Sequence, residues 1–242
     1  MTIYREQGVV LRTYRLGEAD KIVSIVTEGR GKVRAVAKGV RKTKSRFGGR
    51  LEPMTHVLLQ LYEGRELDTI TQAETIDTFR AVREDLHRVA RAGALLEAVD
   101  QMAQEGEPNP HLYRMLVGAL RQLAKEDSPL IVAGFYWKLL SQEGFHPVLD
   151  ACAGCGAEGD EIALVAFDLE QGGALCRSCR RGSAMSPGAL EVMREILGGQ
   201  LGRALARPAS EVTAEVDHLA TRALEHHLER RLKAASNAHW SQ

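Results

Sequence analysis

The cysteines are the residues of this sequence whose spacing most clearly points to chemistry. All four lie between residues 152 and 179, as Cys152-x2-Cys155-x20-Cys176-x2-Cys179. A two-residue gap lets both thiolates of a pair reach one tetrahedral ion, and zinc accepts four thiolate ligands. Because four thiolates fill the coordination shell and leave no position for water, the spacing predicts one structural Zn²⁺ ion, not a catalytic one.

Two disulfides, or four unrelated buried thiols, are the alternatives to a metal site. Disulfides are disfavoured in a chain without an export signal, and the first 30 residues contain no apolar signal-peptide core. No apolar run reaches the ~20 residues that a membrane-spanning helix needs. The sequence therefore favours a cytoplasmic protein that keeps its cysteines reduced for zinc.

The second concentration of chemistry is cationic. The stretch KGVRKTKSRFGGR, residues 38–50, contains no acid and six basic residues: Lys38, Arg41, Lys42, Lys44, Arg46 and Arg50. With Val40 and Phe47 as its only bulky apolar residues, it is not expected to contribute to a core. The formal net charge of zero hides an asymmetry, since residues 1–51 carry 13 Lys and Arg against 4 Asp and Glu. A basic amino-terminal part on an acidic remainder suggests two tasks on one chain.

A charge run is often only a solvated loop, but its place between strands favours nucleic acid here. Cationic side chains in the loops of a small barrel can neutralise phosphates. Because no base-reading helix is present, backbone contacts with little sequence preference and strong salt sensitivity are expected. Tyr4, Tyr14 and Phe47 are candidates for stacking on bases. Further candidate DNA-binding residues are Arg12, Arg15, Lys32 and Arg34.

The elements that position these residues change character along the chain. Up to about residue 75, five short runs rich in Val, Ile, Thr and Leu are separated by turn residues, and the longest connection is the basic loop. Five strands in this length predict an OB-type β-barrel over residues 1–79, with an SH3-like barrel as the alternative.

After Asp77 the apolar period becomes helical. A long helix is expected to bury the residues Val82, Leu86, Val89, Leu96, Val99 and Met102. Helix starts are predicted at Asn109-Pro110, Ser128-Pro129 and Ser186-Pro187, and the last helix near Ser210. The segment Leu130 to Leu140 is apolar on nearly every side, which is typical of the centre of a helical domain. The fold class is therefore α+β, with a barrel over 1–79, a helical domain over 80–146 and 183–242, and an inserted zinc module over 147–182.

No catalytic constellation stands out in the sequence. The Gly154-x-Gly156-x-x-Gly159 match to a dinucleotide fingerprint falls inside the cysteine cluster, where the strand and helix that the fingerprint requires are not predicted. A zinc deaminase needs His-x-Glu ahead of its cysteines, but the only such triplet, His227-Leu228-Glu229, follows them. A binding protein is expected, not an enzyme.

Three segments of the sequence resemble the RecO family of bacterial recombination mediators. They are GEADKIVSIVTEGRGKVRAVAKGVRKTKSRFGGRLEP at residues 17–53, EGFHPVLDACAGCG at 143–156 and GGALCRSC at 172–179. The resemblance implies an OB domain, a helical domain and a zinc-binding module in that order. It also implies binding of single- and double-stranded DNA, annealing of complementary strands and help in loading RecA onto strands covered by SSB, hence association with the nucleoid.

The resemblance further implies RecR and the SSB C-terminal tail as partners. An apolar groove between helices of the acidic part is the expected place for the tail, with a nearby Lys or Arg for its terminal carboxylate. The alternative function is a zinc-ribbon nucleic-acid-binding accessory factor in transcription or translation. A metal-dependent nuclease lacks a paired-carboxylate motif.

Overall fold

The computed structural model describes residues 2–159 and 162–233. By compactness the chain forms two units, one of Met1–Glu126 with Lys233–Gln242 and one of Asp127–Leu232. The first unit contains the barrel together with three helices. The three-part division into barrel, helical domain and zinc module stays a prediction, and its last residues, 234–242, lie outside the described part of the chain.

Five strands form the barrel of the first unit. They are β1 (Ile3–Leu16), β2 (Asp20–Thr27), β3 (Gly31–Ala37), β4 (His56–Tyr62) and β5 (Asp68–Asp77). The barrel closes in the order β1-β2-β3-β5-β4, and its pairs are antiparallel except β3 with β5, where Ala35 lies opposite Asp68. This five-stranded closed barrel confirms the OB-type expectation.

The long first strand makes closure possible. Residues 3–9 of β1 pair with β4 and residues 8–16 pair with β2, so one strand serves both sides of the barrel. An irregularity between Val10 and Arg12 bends the strand where its partners change. Small and β-branched side chains fill the narrow interior, among them Val23, Ile25 and Ala35, which have no exposed surface.

Helices α1 (Arg80–Arg83), α2 (Leu86–Met102) and α3 (Pro110–Lys125) complete the first unit. Asn109 accepts a hydrogen bond from the Leu112 amide, which confirms the predicted cap of α3. The predicted inner face of the long helix is wrong at Leu86 and Val89, which are 81% and 37% exposed, whereas Val82, Leu96 and Val99 are buried as predicted. The chain breaks between α1 and α2, Asp85 caps the new helix, and the first buried residue of α2 is Ala92.

The second unit consists of helices around a small sheet. Its elements are α4 (Ile131–Gln142), β6 (Leu164–Asp168), β7 (Gly173–Cys176), β8 (Ser183–Ala184), α5 (Pro187–Leu197), α6 (Leu201–Leu205) and α7 (Glu211–His227). Helix α4 is buried along nearly its whole length, as its composition predicts, and it contacts α5, α6 and α7. The Trp137 ring meets the Phe167 ring edge-on at 5.6 Å, which joins α4 to the sheet.

Two of the three predicted caps in the second unit form as expected. The Ser186 hydroxyl accepts from the Ala189 amide, and Ser210 forms a capping box with Thr213. Ser128 instead accepts from the Leu130 amide in a turn, so α4 begins at Ile131, slightly later than predicted. None of the described helices has the length and apolar character that crossing a membrane requires.

Candidate nucleic-acid interface and metal centre

The basic loop is a series of turns that connects β3 to β4. Its start is fixed to the turn between β1 and β2, since the Gly39 amide donates to the Asp20 carboxylate at 2.7 Å and the Arg41 amide donates to the Ala19 carbonyl at 2.9 Å. Gly39 has a φ of 70°, a conformation that favours glycine at this reversal. The loop therefore has a defined path beside the β1–β2 turn.

Apolar residues anchor the loop, contrary to the sequence-based expectation that it adds nothing to a core. Val40, Phe47 and Leu51 are at least 91% buried and belong to the same apolar cluster as the barrel interior. The proposed stacking role of Phe47 is consequently wrong, because its ring is 1% exposed. Two apolar residues in the stretch, with Leu51 just after it, are enough to hold the loop against the barrel.

The six basic side chains of the loop all lie on its exposed surface. Arg41 donates to the Glu18 carbonyl at 2.8 Å, Arg50 donates to the carbonyls of Arg46 and Phe47, and the Arg46 guanidinium lies over the buried Phe47 ring at 4.8 Å. Within the described part of the chain, none of the six forms an ion pair with a carboxylate. Their positive charge is therefore left for an external anion.

Most of the basic side chains on the barrel strands have partners within the protein. Arg12 faces Asp100 at 3.6 Å, Arg34 faces Glu105 at 3.6 Å, and Lys32 donates to the Asp100 carbonyl at 2.7 Å. Three of the four strand residues predicted to contact DNA are thus already bonded to a residue in the last turn of α2 or just after it. Arg15 lies exposed near the β1–β2 turn, opposite Lys21.

The two remaining aromatic candidates also differ. Tyr4 donates to the Asp68 carboxylate and lies under the Arg30 guanidinium at 3.9 Å. Burial, together with that hydrogen bond, raises the pKa of Tyr4 well above its ordinary value. Tyr14 is 45% exposed on the outer face of β1. Tyr14 is therefore the aromatic candidate placed to meet a base, and Tyr4 packs within the barrel wall.

The four cysteine thiols converge in the second unit, as the spacing predicts. All four sulfur atoms lie within 4.8 Å of one another, and the Cys155 and Cys176 sulfurs are 3.9 Å apart. A tetrahedral Zn–S₄ centre with bonds of about 2.3 Å requires sulfur separations of about 3.8 Å. A disulfide requires about 2.05 Å, and all four cysteines are free. The geometry fits a single metal ion and excludes the two-disulfide alternative.

Backbone hydrogen bonds form each cysteine pair into a tight turn. The Gly156 amide donates to the Cys152 carbonyl at 2.8 Å, and the Cys179 amide donates to the Cys176 carbonyl at 3.2 Å. The Cys176 amide also donates to the Cys152 sulfur at 3.3 Å. A Cβ on Gly154 would lie 3.3 Å from the Cys179 Cβ, so a larger residue there would press on the second pair. The two turns are therefore built to face each other.

The pKa values of two of the thiols, Cys152 and Cys179, are shifted in opposite directions. The hydrogen bond from the Cys176 amide lowers the pKa of Cys152 to about 6, because it stabilises the thiolate. The neighbouring sulfurs, Cys155 first, raise the pKa of Cys179 to about 12. One thiolate forms readily, but crowded sulfurs oppose further negative charge unless a cation neutralises them. A divalent metal ion would supply that neutralisation.

The surrounding unit holds the metal-binding module through polar contacts. Arg194 of α5 donates to the Leu149 carbonyl at 2.6 Å and pairs with Asp150 at 2.9 Å, directly before the first cysteines. The buried Asp168 accepts from the Gln171 amide and pairs with Arg181 at 3.4 Å, just past the last cysteine. Polar contacts thereby fix the chain just before the first cysteine and just after the last one.

Sequence reasoning missed the carboxylates that neutralise the strand cations. Asp100 and Glu105 are separated from Arg12 and Arg34 by 88 and 71 positions. No local motif relates residues so far apart, and α2 was expected only as a core helix. The acidic end of that helix, with no basic residue in its last turn, is the one local signal.

Comparison with known proteins covers both units. The family model "Recombination protein O N terminal" matches residues 1–79, and "Recombination protein O C terminal" matches residues 83–235. The chain is 42% identical over 240 residues to the DNA repair protein RecO of Frankia casuarinae, with 97% of each chain covered. It is 43% identical over 239 residues to the DNA repair protein RecO of a Nocardioides species, with 96% of this chain and 97% of the relative covered. The chain therefore belongs to the RecO family.

Proposed function

We propose that this protein serves DNA repair and recombination as a nonenzymatic mediator. It binds single- and double-stranded DNA, anneals complementary strands and helps to load RecA on strands covered by SSB. The observation that carries the DNA-binding part is the exposed basic loop, which is anchored to an OB barrel and forms no ion pair within the described structure. The curated relatives are named for DNA repair, which supports the wider role.

The physical task of annealing fits such a loop. Two single strands are polyanions that repel each other, so a factor that brings them together must screen phosphate charge. Lys38, Lys42 and Lys44 are exposed on flexible stems, which suits contact with phosphates in many geometries. Arg41 and Arg50 use part of their hydrogen-bonding capacity on backbone carbonyls and keep their charge. Binding without sequence preference follows from contacts of this kind.

Zinc is the metal that the cysteine centre suits best in this proposal. Four thiolates in tetrahedral proximity are typical of structural zinc, which needs no further ligand. Cys152, Cys155, Cys176 and Cys179 would hold the ion, which would keep the module folded and take no part in chemistry. The DNA-binding loop lies in the other compact unit.

RecR and the SSB C-terminal tail are the proposed protein partners. A groove of about 450 Å³ in the second unit is lined by the apolar Ile162, Leu164 and Leu190 together with the charged Asp150 and Arg194, so it lies beside α5 and not between helices as expected. This combination suits a peptide that ends in apolar residues and a carboxylate. Arg194 already pairs with Asp150, so a bound carboxylate would have to share or replace that contact.

The test is annealing of complementary oligonucleotides, naked and coated with SSB, by the full-length protein. The proposal predicts faster annealing than the spontaneous reaction for both substrates and for unrelated sequences alike. A variant with Arg41→Glu and Lys42→Glu should lose most of the gain, whereas Arg121→Glu with Lys125→Glu, the same charge change on the exposed side of α3, should retain it. Tight binding to one duplex sequence without annealing would instead favour the transcription or translation accessory factor.

A further inference from the structure

The outer face of β1, β2 and β3 adjoins the basic loop, which follows β3. Strand register places Arg12, Ser24 and Arg34 in one row across the three strands, and Tyr14, Ile22 and Val36 in the next row toward the loop. The intervening row of Thr13, Val23 and Ala35 points inward, since Val23 and Ala35 are completely buried. Four strand positions separate Arg34 from Lys38, or about 13 Å.

The middle strand of this face becomes less accessible with distance from the loop, while the Arg12 and Arg34 side chains on either side keep 39% and 44% of their surface exposed. In the row nearer the loop, Tyr14 is 45% exposed. In the farther row Ser24 is only 3% exposed, because Asp100 lies against it and accepts its hydroxyl hydrogen bond at 2.9 Å. A strand that runs from the loop across the Tyr14 row would therefore meet the end of α2 at the Arg12 row.

The residues beside the farther row are acidic: the Asp100 side chain is 11% exposed, and the Glu105 side chain is 53% exposed. Asp100 faces Arg12, and Glu105 faces Arg34. The segment after α2 pairs with the start of β3, where the Lys32 amide donates to the Gln104 carbonyl at 3.0 Å and the Gly106 amide donates to the Lys32 carbonyl at 3.3 Å. A Cβ on Gly31 would lie 2.0 Å from the Glu107 carbonyl oxygen, so the segment fits this strand only with glycine there.

The position of Asp100 is unfavourable for a helix considered alone. The carboxyl end of a helix carries partial negative charge, and an acidic residue in the last turn is destabilising there. Lys32 offsets this by donating to the Asp100 carbonyl, and Arg12 offsets it through the side chain. The acidic residue thus gains its favourable environment from the barrel cations, not from its helix.

We propose that Asp100 and Glu105 set the length of the DNA site by closing the Arg12–Arg34 row to phosphates. The two carboxylates pair with the arginines that would otherwise extend the basic surface. Their negative charge also repels the phosphates of an approaching strand. DNA then contacts the loop and the Tyr14 row and ends there. This inference rests on the proposed DNA binding of the loop and adds the boundary of the site.

The test compares the full-length protein with the variant Asp100→Asn and Glu105→Gln, which keeps side-chain size and an oxygen acceptor for Ser24. Affinity for fluorescent single strands of increasing length is measured over a range of salt concentrations. Release of two arginines adds two phosphate contacts, so the log–log salt slope should steepen by about 1.4 and affinity should rise roughly tenfold at 0.15 M salt. The length at which affinity stops rising should also increase.

Glu84→Gln with Glu126→Gln gives the matched control, since it changes net charge equally at exposed sites away from the strand row. Adding Arg12→Gln and Arg34→Gln to the first variant should abolish the gain. Thermal unfolding establishes that each variant is folded. Equal slopes and equal limiting lengths in the wild type and the first variant, or an equal gain in the control, would overturn the inference. Failure of the wild type to bind any strand would refute the proposed DNA binding itself.

Discussion

The basic loop and the cysteine module are both short segments with few large apolar residues, but the protein holds them in different ways. Three apolar side chains of the loop region, Val40, Phe47 and Leu51, join the interior of the barrel. The cysteine module brings four thiols within 4.8 Å of one another, a cluster that could hold a metal ion. Hydrophobic anchoring leaves every loop cation on the surface, where it can meet an external anion. A metal bound to the module would instead use the reactive thiols themselves as ligands, so that none of them would remain free to react.

The largest effect expected from this comparison is loss of the metal. Cys152→Ser with Cys155→Ser should remove the ion and open the module, because ligation of zinc supplies on the order of 10 kcal/mol to such segments. Hydrogen exchange should speed up at the Ala153 and Ala174 amides, which bond across the module. DNA affinity should remain that of the wild type.

Removing the metal from the wild-type protein with a chelator separates the effect of metal loss from the effect of replacing the cysteines. Elemental analysis should find one zinc ion per chain before treatment. Protein purified under reducing conditions without any bound metal, or exchange at the Ala153 and Ala174 amides that stays equally slow after the metal is removed, would contradict a metal-held module.

The loop should respond to removal of its apolar anchor instead. Phe47→Ala leaves a cavity at the end of the barrel and should lower the free energy of unfolding by about 3 kcal/mol, as for other buried aromatic residues. Denaturant unfolding measures this, with Phe47→Leu as the milder control. A loss below about 1 kcal/mol in Phe47→Ala would mean that the loop is not part of the core.

A smaller effect is expected in the second unit outside the metal centre. The carboxylate of Glu195 is 6% exposed and receives hydrogen bonds from Arg207, with Arg203 at 2.9 Å. Glu195→Gln should cost about 2 kcal/mol, since it removes the buried charge that Arg203 and Arg207 share and leaves Arg207 only its contact with Glu191. Glu191→Gln, at a more exposed carboxylate of the same network, should cost less.

The effect of Glu195 should depend on pH in a defined direction. The hydrogen bond from Arg207 lowers the pKa of Glu195 below its ordinary value of 4.5. Its stabilisation is therefore complete above pH 4.5 and is lost as the pH falls through the lowered value. Unfolding curves of the wild type and Glu195→Gln should converge in acid, and a difference that stays constant with pH would contradict the ion-pair interpretation.

The parts of the fold predicted from sequence are those with local signals. Alternating apolar residues indicated the five strands, and serine or asparagine before proline indicated the start of α3 and α5. The cysteine spacing predicted the thiol cluster because two-residue turns largely fix each pair. Leu86 and Val89 were misplaced because a helical period does not show which stretch of a helix is covered by other elements.

The candidate DNA site was only partly predictable for a related reason. Composition identified the loop cations, whose exposure follows from their own charge. Composition did not reveal that Phe47 lies in the barrel interior, or that Asp100 and Glu105 form ion pairs with Arg12 and Arg34. Those contacts join residues brought together by barrel closure and by the packing of α2, and no local pattern encodes them.

The most direct measurement of the central claim is the salt dependence of single-strand binding by Arg41→Glu with Lys42→Glu. If the loop makes four phosphate contacts, the wild-type log–log slope has a component of roughly −3, and the variant should lose about half of it and about tenfold in affinity for any sequence. The control Arg121→Glu with Lys125→Glu should keep the wild-type slope. An unchanged slope in the loop variant would place the DNA site elsewhere on the protein.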